Sequence, residues 1–228
     1  MDSQNPWREF PHDVYVKHMG HENVRQLEML SCITREQLEL AANIQDSVIA
    51  ILGITDGNGL CNIKRGQHKA VIGMDINAEY LNICRKRYDY LKELDLYQID
   101  LMTEKDRAAE ILKKADLLIA NLLVKHIHLN NFIDIVGKLK KSIVFISVTI
   151  QYNPDGQPVS KSGFEAEFDE IQNHGQDCDE SSLTSAMRDA GYDLIGRAEY
   201  LLPNKKIFVR LDYENFKSKV ICHEQYIK

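Results

Sequence analysis

Residues 49–59 read Ile49-Ala50-Ile51-Leu52-Gly53-Ile54-Thr55-Asp56-Gly57-Asn58-Gly59, an apolar run that breaks into a turn holding three glycines. A short, wholly apolar run bounded by a turn is what a strand looks like when both of its faces are buried, as in a parallel sheet covered by helices. The glycines let a ligand approach the backbone where side chains would collide. For a glycine turn taken alone, a tight connection with no ligand is the alternative.

Outward from this stretch, from Ser47 onward, β-branched runs alternate with helical periods, the pattern of a parallel sheet with helices on its faces. Strands are expected at Val48–Leu52, Ala70–Asp75, Leu96–Asp100, Leu117–Asn121 and Ile143–Thr149. Asn77 can cap a helix on which Leu81, Cys84, Tyr88 and Leu91 recur on one face. Residues 151–178 carry Pro154, Gly156, Pro158, Gly163 and Gly175 among charges and read as one long loop, with Glu165, Glu167, Asp169 and Glu170 as a solvated face. A helix from about Ser181 to Ala190 then ends at Gly191, and Asp193–Leu202 and Ile207–Asp212 flank the turn Pro203-Asn204-Lys205. Strands joined that tightly are antiparallel. Ahead of the sheet, Val24, Leu27 and Leu30 suggest one helix, and the capping box Thr34-Arg35-Glu36-Gln37 opens a second that carries Leu38. The fold expected is α/β, a seven-stranded, mostly parallel, doubly wound sheet with an antiparallel C-terminal hairpin. Residues 1–45 are expected to form a helical lid, 46–213 the ligand-binding domain and 214–228 a tail.

Composition narrows the function classes. Of 228 residues, 44% are hydrophobic and 27% charged, and the net charge is −6, which suits one globular domain with a sizeable core and excludes a disordered chain. Lys and Arg are scattered, which argues against an extended nucleic-acid surface. The longest apolar runs, such as Ile143 to Ile150, fall short of the ~20 residues that span a bilayer, and the first ten residues lack an apolar signal core. A cytoplasmic location is expected. Cys32, Cys61, Cys84, Cys178 and Cys222 form no CxxC pair, so neither a disulfide framework nor a zinc ribbon is indicated. His174 and Cys178, with Asp177 and Asp179 beside them, lack the further ligands of a closed site, and no metal is expected.

The residues ending the expected strands carry the chemistry. Asp75 stands 22 positions after Gly53, where a carboxylate can accept hydrogen bonds from both hydroxyls of a ribose. Its alternative is an acid favoured by a helix macrodipole. Asp100 and Asn121 end the next two strands, so ligand-capable residues line the carboxyl edge, where open α/β sheets bind ligands. Asp100 is placed to accept from an adenine amino group, or else to begin a surface loop.

These residues, in this order and spacing, resemble the class I (Rossmann-like) S-adenosylmethionine-dependent methyltransferases over roughly residues 47–213. Residues 49–59 look like that family's first motif, Val71–Asp75 its second, Ile99-Asp100 its third and Asp116–Leu122 its fourth. The hairpin of residues 193–212, approached by Asp189-Ala190-Gly191-Tyr192, resembles the family's closing hairpin. Val14-Tyr15-Val16-Lys17-His18-Met19, followed by Val24–Leu30, is similar to small, uncharacterised bacterial members. The resemblance implies that S-adenosylmethionine is the cofactor. Gly53, Ile54, Thr55 and Gly57 would lie along its methionine and ribose, Asp75 and Ile76 would hold the ribose, Asp100 and Leu101 would flank adenine, and Asn121 and Leu122 would sit beside the sulfonium. Two departures stand out: Ile51 occupies a place where an acid is common, and Thr55 one where glycine is usual.

A small-molecule methyl acceptor is the expected partner. For a hydroxyl acceptor, a histidine near neutral pKa is the natural base, and His126, His18 and the lid residue Tyr15 are the candidates. Each has a plainer role open to it: His126 as a solvent-facing residue at a helix start, His18 and Tyr15 as packing. A nicotinamide-dependent dehydrogenase fits less well, because Thr55 and Asn58 break the GxGxxG fingerprint. Amino-methylation of nucleic acid is disfavoured by Asn121-Leu122-Leu123-Val124, which lacks the Asn-Pro-Pro-aromatic signature, and no cysteine lies between Cys84 and Cys178 to serve cytosine-C5 chemistry. A catalytically silent nucleoside-binding or scaffold protein of the same fold is the other alternative.

Overall fold

The structure is a computed structural model, and it describes residues 5–139, 142–154, 156–157 and 159–216. Seven strands form one sheet in the order β3-β2-β1-β4-β5-β7-β6. They are β1 (Val48–Leu52), β2 (Ala70–Asp75), β3 (Leu94–Gln98), β4 (Leu117–Asn121), β5 (Phe145–Tyr152), β6 (Tyr192–Leu201) and β7 (Ile207–Asn215). The first five are parallel, and β7 runs antiparallel to both β5 and β6. The helices are α1 (His12–Met19), α2 (Gln26–Leu38), α3 (Ala78–Arg87), α4 (Lys105–Leu112), α5 (Val124–Ile127), α6 (Leu129–Leu139), α7 (Asp169–His174) and α8 (Glu180–Asp189).

The apolar run of β1 shows why the sheet is covered on both faces. Val48, Ala50 and Leu52 pack into a core shared with Ala108, Phe132 and Met187 of α4, α6 and α8. Ile49 and Ile51 point the other way, into a core with Leu81, Cys84 and Tyr88 around α3. A two-residue side-chain period inside a continuous hydrophobic run thus feeds two cores at once. Leu38 and Ala41 join the second core, so the end of the N-terminal segment is continuous with the sheet domain.

Several element readings change. The third strand lies two residues earlier than expected, pairing only with β2 and ending where Asp75 faces Gln98. Ile99-Asp100 therefore belongs to the loop beyond it, which is folded by Asp100 Oδ1 accepting the Met102 N–H at 2.9 Å. The capping box does not start a helix, because α2 is one helix from Gln26, entered through Arg25 in the left-handed region at φ 47°. Thr34 is buried inside it against the sheet, where Asn121 satisfies the hydroxyl that a cap would have turned to the backbone. The stretch expected as an unbroken loop contains α7, anchored by the buried Phe168 and Ile171 beside Phe10. β5 also starts later and runs longer than expected, since β7 pairs with it as far as Tyr152↔Ile207. Of the expected tail, β7 takes residues up to Asn215, and residues 217–228, Cys222 among them, lie outside the described residues.

Candidate functional site

A cavity of about 490 Å³ opens at the carboxyl ends of β1, β2, β4 and β5. Its floor is the strand-end turns. Its cover is the 3-10 turn Pro6–Glu9, α1, and the segment carrying Phe168 and Ile171.

The first turn is built around unusual backbone. Thr55 has φ 52°, a conformation that costs a β-branched residue on the order of 1–3 kcal/mol and that persists where the surroundings enforce it. They do so here: the Thr55 N–H donates to Asp75 Oδ2 at 2.9 Å, and its hydroxyl donates back to the Ile54 carbonyl at 2.7 Å. Gly53, Thr55 and Asn58 line the cavity. Two expected contacts do not. Ile54 points down into the α3-side core, and Gly57 faces α3, where an added Cβ would overlap the Tyr88 ring. Gly59 likewise makes room for Thr34, so α2 rests directly on the glycine turn.

Asp75 sits on the cavity wall with 7% exposure. Its Oδ1 accepts from the Asn77 N–H and its Oδ2 from Thr55. Burial outweighs these bonds and pushes its carboxyl up to about 6. Ile76, Asp100 and Leu101 also line the cavity. Asp100 faces the cover, its Oδ2 accepting from Arg8 at 3.1 Å.

Asn121 lines the cavity too. Its Nδ2 donates to Thr34 Oγ1 and Gln37 Oε1 at 3.2 and 3.0 Å, while its Oδ1 accepts from Gln37 Nε2 and Thr149 Oγ1 at 2.8 and 2.6 Å. All four capacities of the amide are therefore taken. Gln37, fully buried, also reaches Ser147, which donates to Asp212 at 2.6 Å. The side chain expected beside the sulfonium is the hub of a network joining α2 to β4, β5 and β7. The following residue, Leu122, takes φ 55° and still lines the cavity.

The cover is fastened to the turns by side chains. Asp56 takes His12 and Arg87, each at 2.8 Å. Asn58 Nδ2 donates to Tyr15 Oη at 2.8 Å, and Asn77 Nδ2 donates to the carbonyls of Trp7 and Phe10 at 3.0 Å. Tyr15, His18 and His126 all line the cavity. Burial raises the Tyr15 phenol and lowers both imidazoles, His18 to about 4 and His126 to about 3. The expectation of a histidine near neutral pKa is thus overturned by desolvation. His18 Nδ1 is bonded to Ser162, and His126 lies edge-on to Trp7 at 5.0 Å instead of facing solvent. Trp7, Tyr80 and Asn58 are cavity residues that the sequence did not single out. Asn58 had a signal in its place inside the glycine turn, and Tyr80 in lying five positions past Asp75 on the capped helix. Of the four residues weighed as metal ligands, Asp179 is the N-cap of α8, accepting from Ser182 N and Oγ. Among the described residues, no group of three or more His, Cys, Asp or Glu side chains is arranged to hold a metal, and no helix is long and apolar enough to cross a membrane.

No family model matches the chain, and no curated protein matches it. Solved structures do. Magnesium protoporphyrin IX methyltransferase (ChlM) from Synechocystis PCC 6803 with bound S-adenosylmethionine superposes at TM-score 0.66 and 10% identity, covering 94% of this chain and 99% of that one. The same enzyme with bound S-adenosylhomocysteine gives 0.64 and 12%, covering 92% and 96%. An O-methyltransferase family protein from Burkholderia thailandensis gives 0.58 and 15%, covering 90% and 61%. The [4+2]-cyclase SpnF gives 0.56 and 12%, covering 81% of each chain. The fold of this chain is that of the class I methyltransferases.

Proposed function

We propose that this chain is an S-adenosylmethionine-dependent methyltransferase acting on a small molecule enclosed beneath its N-terminal segment. The observation that carries the reading is Asp75: a buried carboxylate at the end of β2, held by the N–H of the left-handed Thr55 turn, on the wall of the cavity. A carboxylate has about four lone-pair sites, so the backbone bonds leave capacity for two ribose hydroxyls. The cavity volume falls in the range of small-ligand sites. The similar ChlM structures contain S-adenosylmethionine and S-adenosylhomocysteine, which supports the same cofactor here.

The residues fit this cofactor in a definite order. Asp75 and Ile76 would hold the ribose, the Gly53–Thr55 turn would lie along the methionine portion, and Leu101 and Leu122 would bound adenine and sulfonium. When bound, the cofactor supplies a methyl group already activated by its sulfonium, so the protein's work is alignment of the acceptor and exclusion of water. The aromatic cover does the second. Tyr15 and Tyr80 are also aromatic residues of the cavity, and a ring face suits a cation. The two cavity histidines, at about 4 and about 3, are neutral and weakly basic near pH 7. They are therefore hydrogen-bonding groups and poor general bases.

Calorimetric titration with S-adenosylmethionine, S-adenosylhomocysteine and NADH tests the reading. Binding of the two sulfur nucleosides and not of NADH is expected; the reverse sinks it. The similar fold of a [4+2]-cyclase keeps a non-methylating role as the second reading, favoured by cofactor binding without turnover over a broad acceptor panel. Hydrogen exchange tests the proposed lid, residues 1–45. Added S-adenosylhomocysteine should slow exchange in α1 and in residues 159–174, and protection confined to the strand ends would reject it.

A further inference from the structure

Among the described residues, three side chains of the cavity wall hold buried polar atoms with no hydrogen-bond partner: Trp7 Nε1, Tyr80 Oη and His126 Nδ1. An indole N–H can only donate, and leaving such a group buried and unpaired is unfavourable enough that each instance calls for an explanation. A ligand that brings the missing partner is the simplest one. Trp7 and His126 share one stretch of wall, their rings 5.0 Å apart and inclined at 75°.

The place of that wall is set by its fasteners. Asn77, two residues past β2, holds the Trp7 carbonyl. Arg8 pairs with Asp100 in the loop after β3, and Asn5 Nδ2 reaches Met102 Sδ at 3.8 Å. His126 belongs to α5, just past β4. Trp7 and His126 therefore close, from outside, the space bounded by Ile76 and Leu101. On the cofactor reading proposed above, on which this inference rests, that space takes the base. Asp100, the side chain otherwise expected to meet the base, accepts from Arg8 and from Met102 N and is held against the cover by them.

We infer that Trp7 and His126 read the polar edge of the cofactor's purine, Trp7 donating its indole N–H to a ring nitrogen and His126 meeting the exocyclic amino group. The N-terminal segment is then part of the nucleoside site itself as well as a cover for the acceptor.

Trp7 is the single tryptophan of the chain, so its emission reports on this wall alone. Titration of the full chain with S-adenosylhomocysteine should change that emission saturably, with the midpoint found by calorimetry. Trp7→Phe, which keeps an aromatic ring against Phe10 and Tyr15, should weaken S-adenosylhomocysteine by about 5–10-fold, the loss of one hydrogen bond. S-inosylhomocysteine, with an oxo group in place of the amino group, should bind the wild type more weakly, and His126→Phe should narrow that gap. Three results each overturn the inference while leaving the cofactor reading intact. They are calorimetric binding with unmoved emission, equal affinity in Trp7→Phe, and an amino-to-oxo gap that His126→Phe preserves. If Trp7→Phe does not fold, the emission titration and the inosyl comparison decide without it. Failure of the wild type to bind S-adenosylhomocysteine overturns both readings together.

Discussion

The two walls of the cavity are built by different means. The strand-end wall is made of backbone: Thr55 and Leu122 in left-handed conformation, Gly57 and Gly59 giving way to Tyr88 and Thr34, and Asp75 gripping the Thr55 N–H. The cover is made of side chains, each reaching down to a turn: His12 to Asp56, Tyr15 to Asn58, Arg8 to Asp100. A wall of enforced backbone holds one shape whether or not a ligand is present. A wall of side-chain bonds, each worth about 1 kcal/mol net, can open and reclose. On the function proposed above, cofactor geometry belongs to the first wall and access to the second.

Gly57→Asp is the most damaging single change expected, because it strikes the backbone wall where nothing can yield. At φ 106° the new Cβ would enter the Tyr88 ring, combining left-handed strain with overpacking for a loss of about 3–5 kcal/mol. The measurement is thermal or denaturant unfolding. A variant that melts like the wild type and loses only ligand binding would mean that Gly57 faces the ligand after all.

Gln37→Leu tests the joint between the walls and should rank next. It strips partners from Asn121 and Ser147 in a buried network, at a cost of about 2–4 kcal/mol for orphaned polar groups. Cofactor affinity should fall as well, because Asn121 anchors the left-handed Leu122. Stability lost with unchanged affinity would detach the joint from the cofactor wall.

Asp75→Ala should weaken cofactor binding by about 1.5–3 kcal/mol, the range for losing bonds to a charged group. pH sharpens this. With its carboxyl raised from 3.8 to about 6 by burial, Asp75 favours the unliganded fold most when protonated, below about pH 4, and that contribution is lost as pH rises through about 6. Ligand binding runs the other way, since the ionised form accepts the ribose hydroxyls best. Affinity measured calorimetrically should therefore decline as pH falls below about 6, and Asp75→Asn should flatten the profile. A decline that persists in Asp75→Asn would assign it to another group.

These outcomes bear on what could be read from the chain. The backbone wall was legible, because parallel strands buried on both faces leave unbroken apolar runs and their turns need glycine. Strands β1, β2 and β4 have the expected bounds for that reason. Strand β3 slipped because it is an edge strand, half exposed, with no pattern to fix its end. The cover was illegible in detail. Trp7 and Tyr80 gain their places from contacts some 70 positions apart in sequence, such as Asn77 with Trp7, and no local period records such a contact. Asn121 lines the cavity at the place expected, and the network it makes there was not legible, because its partners Thr34 and Gln37 looked like a helix cap.

Thr55→Gly should have the smallest effect and is the most direct test of the backbone wall. Thr55 stands at φ 52°, a conformation glycine adopts freely, so the substitution relieves strain of about 1 kcal/mol or more. Against this, glycine gains unfolded-state entropy worth about 0.5–1 kcal/mol, and the hydroxyl bond to the Ile54 carbonyl is lost. The terms nearly cancel, and a net change within about 1 kcal/mol is expected in denaturant unfolding. The bond that matters to the site comes from the Thr55 backbone N–H and survives the change, so affinity for S-adenosylhomocysteine should hold. If affinity falls as far as in Asp75→Ala while stability is kept, the Thr55 side chain itself touches the ligand, and the first wall is not backbone alone.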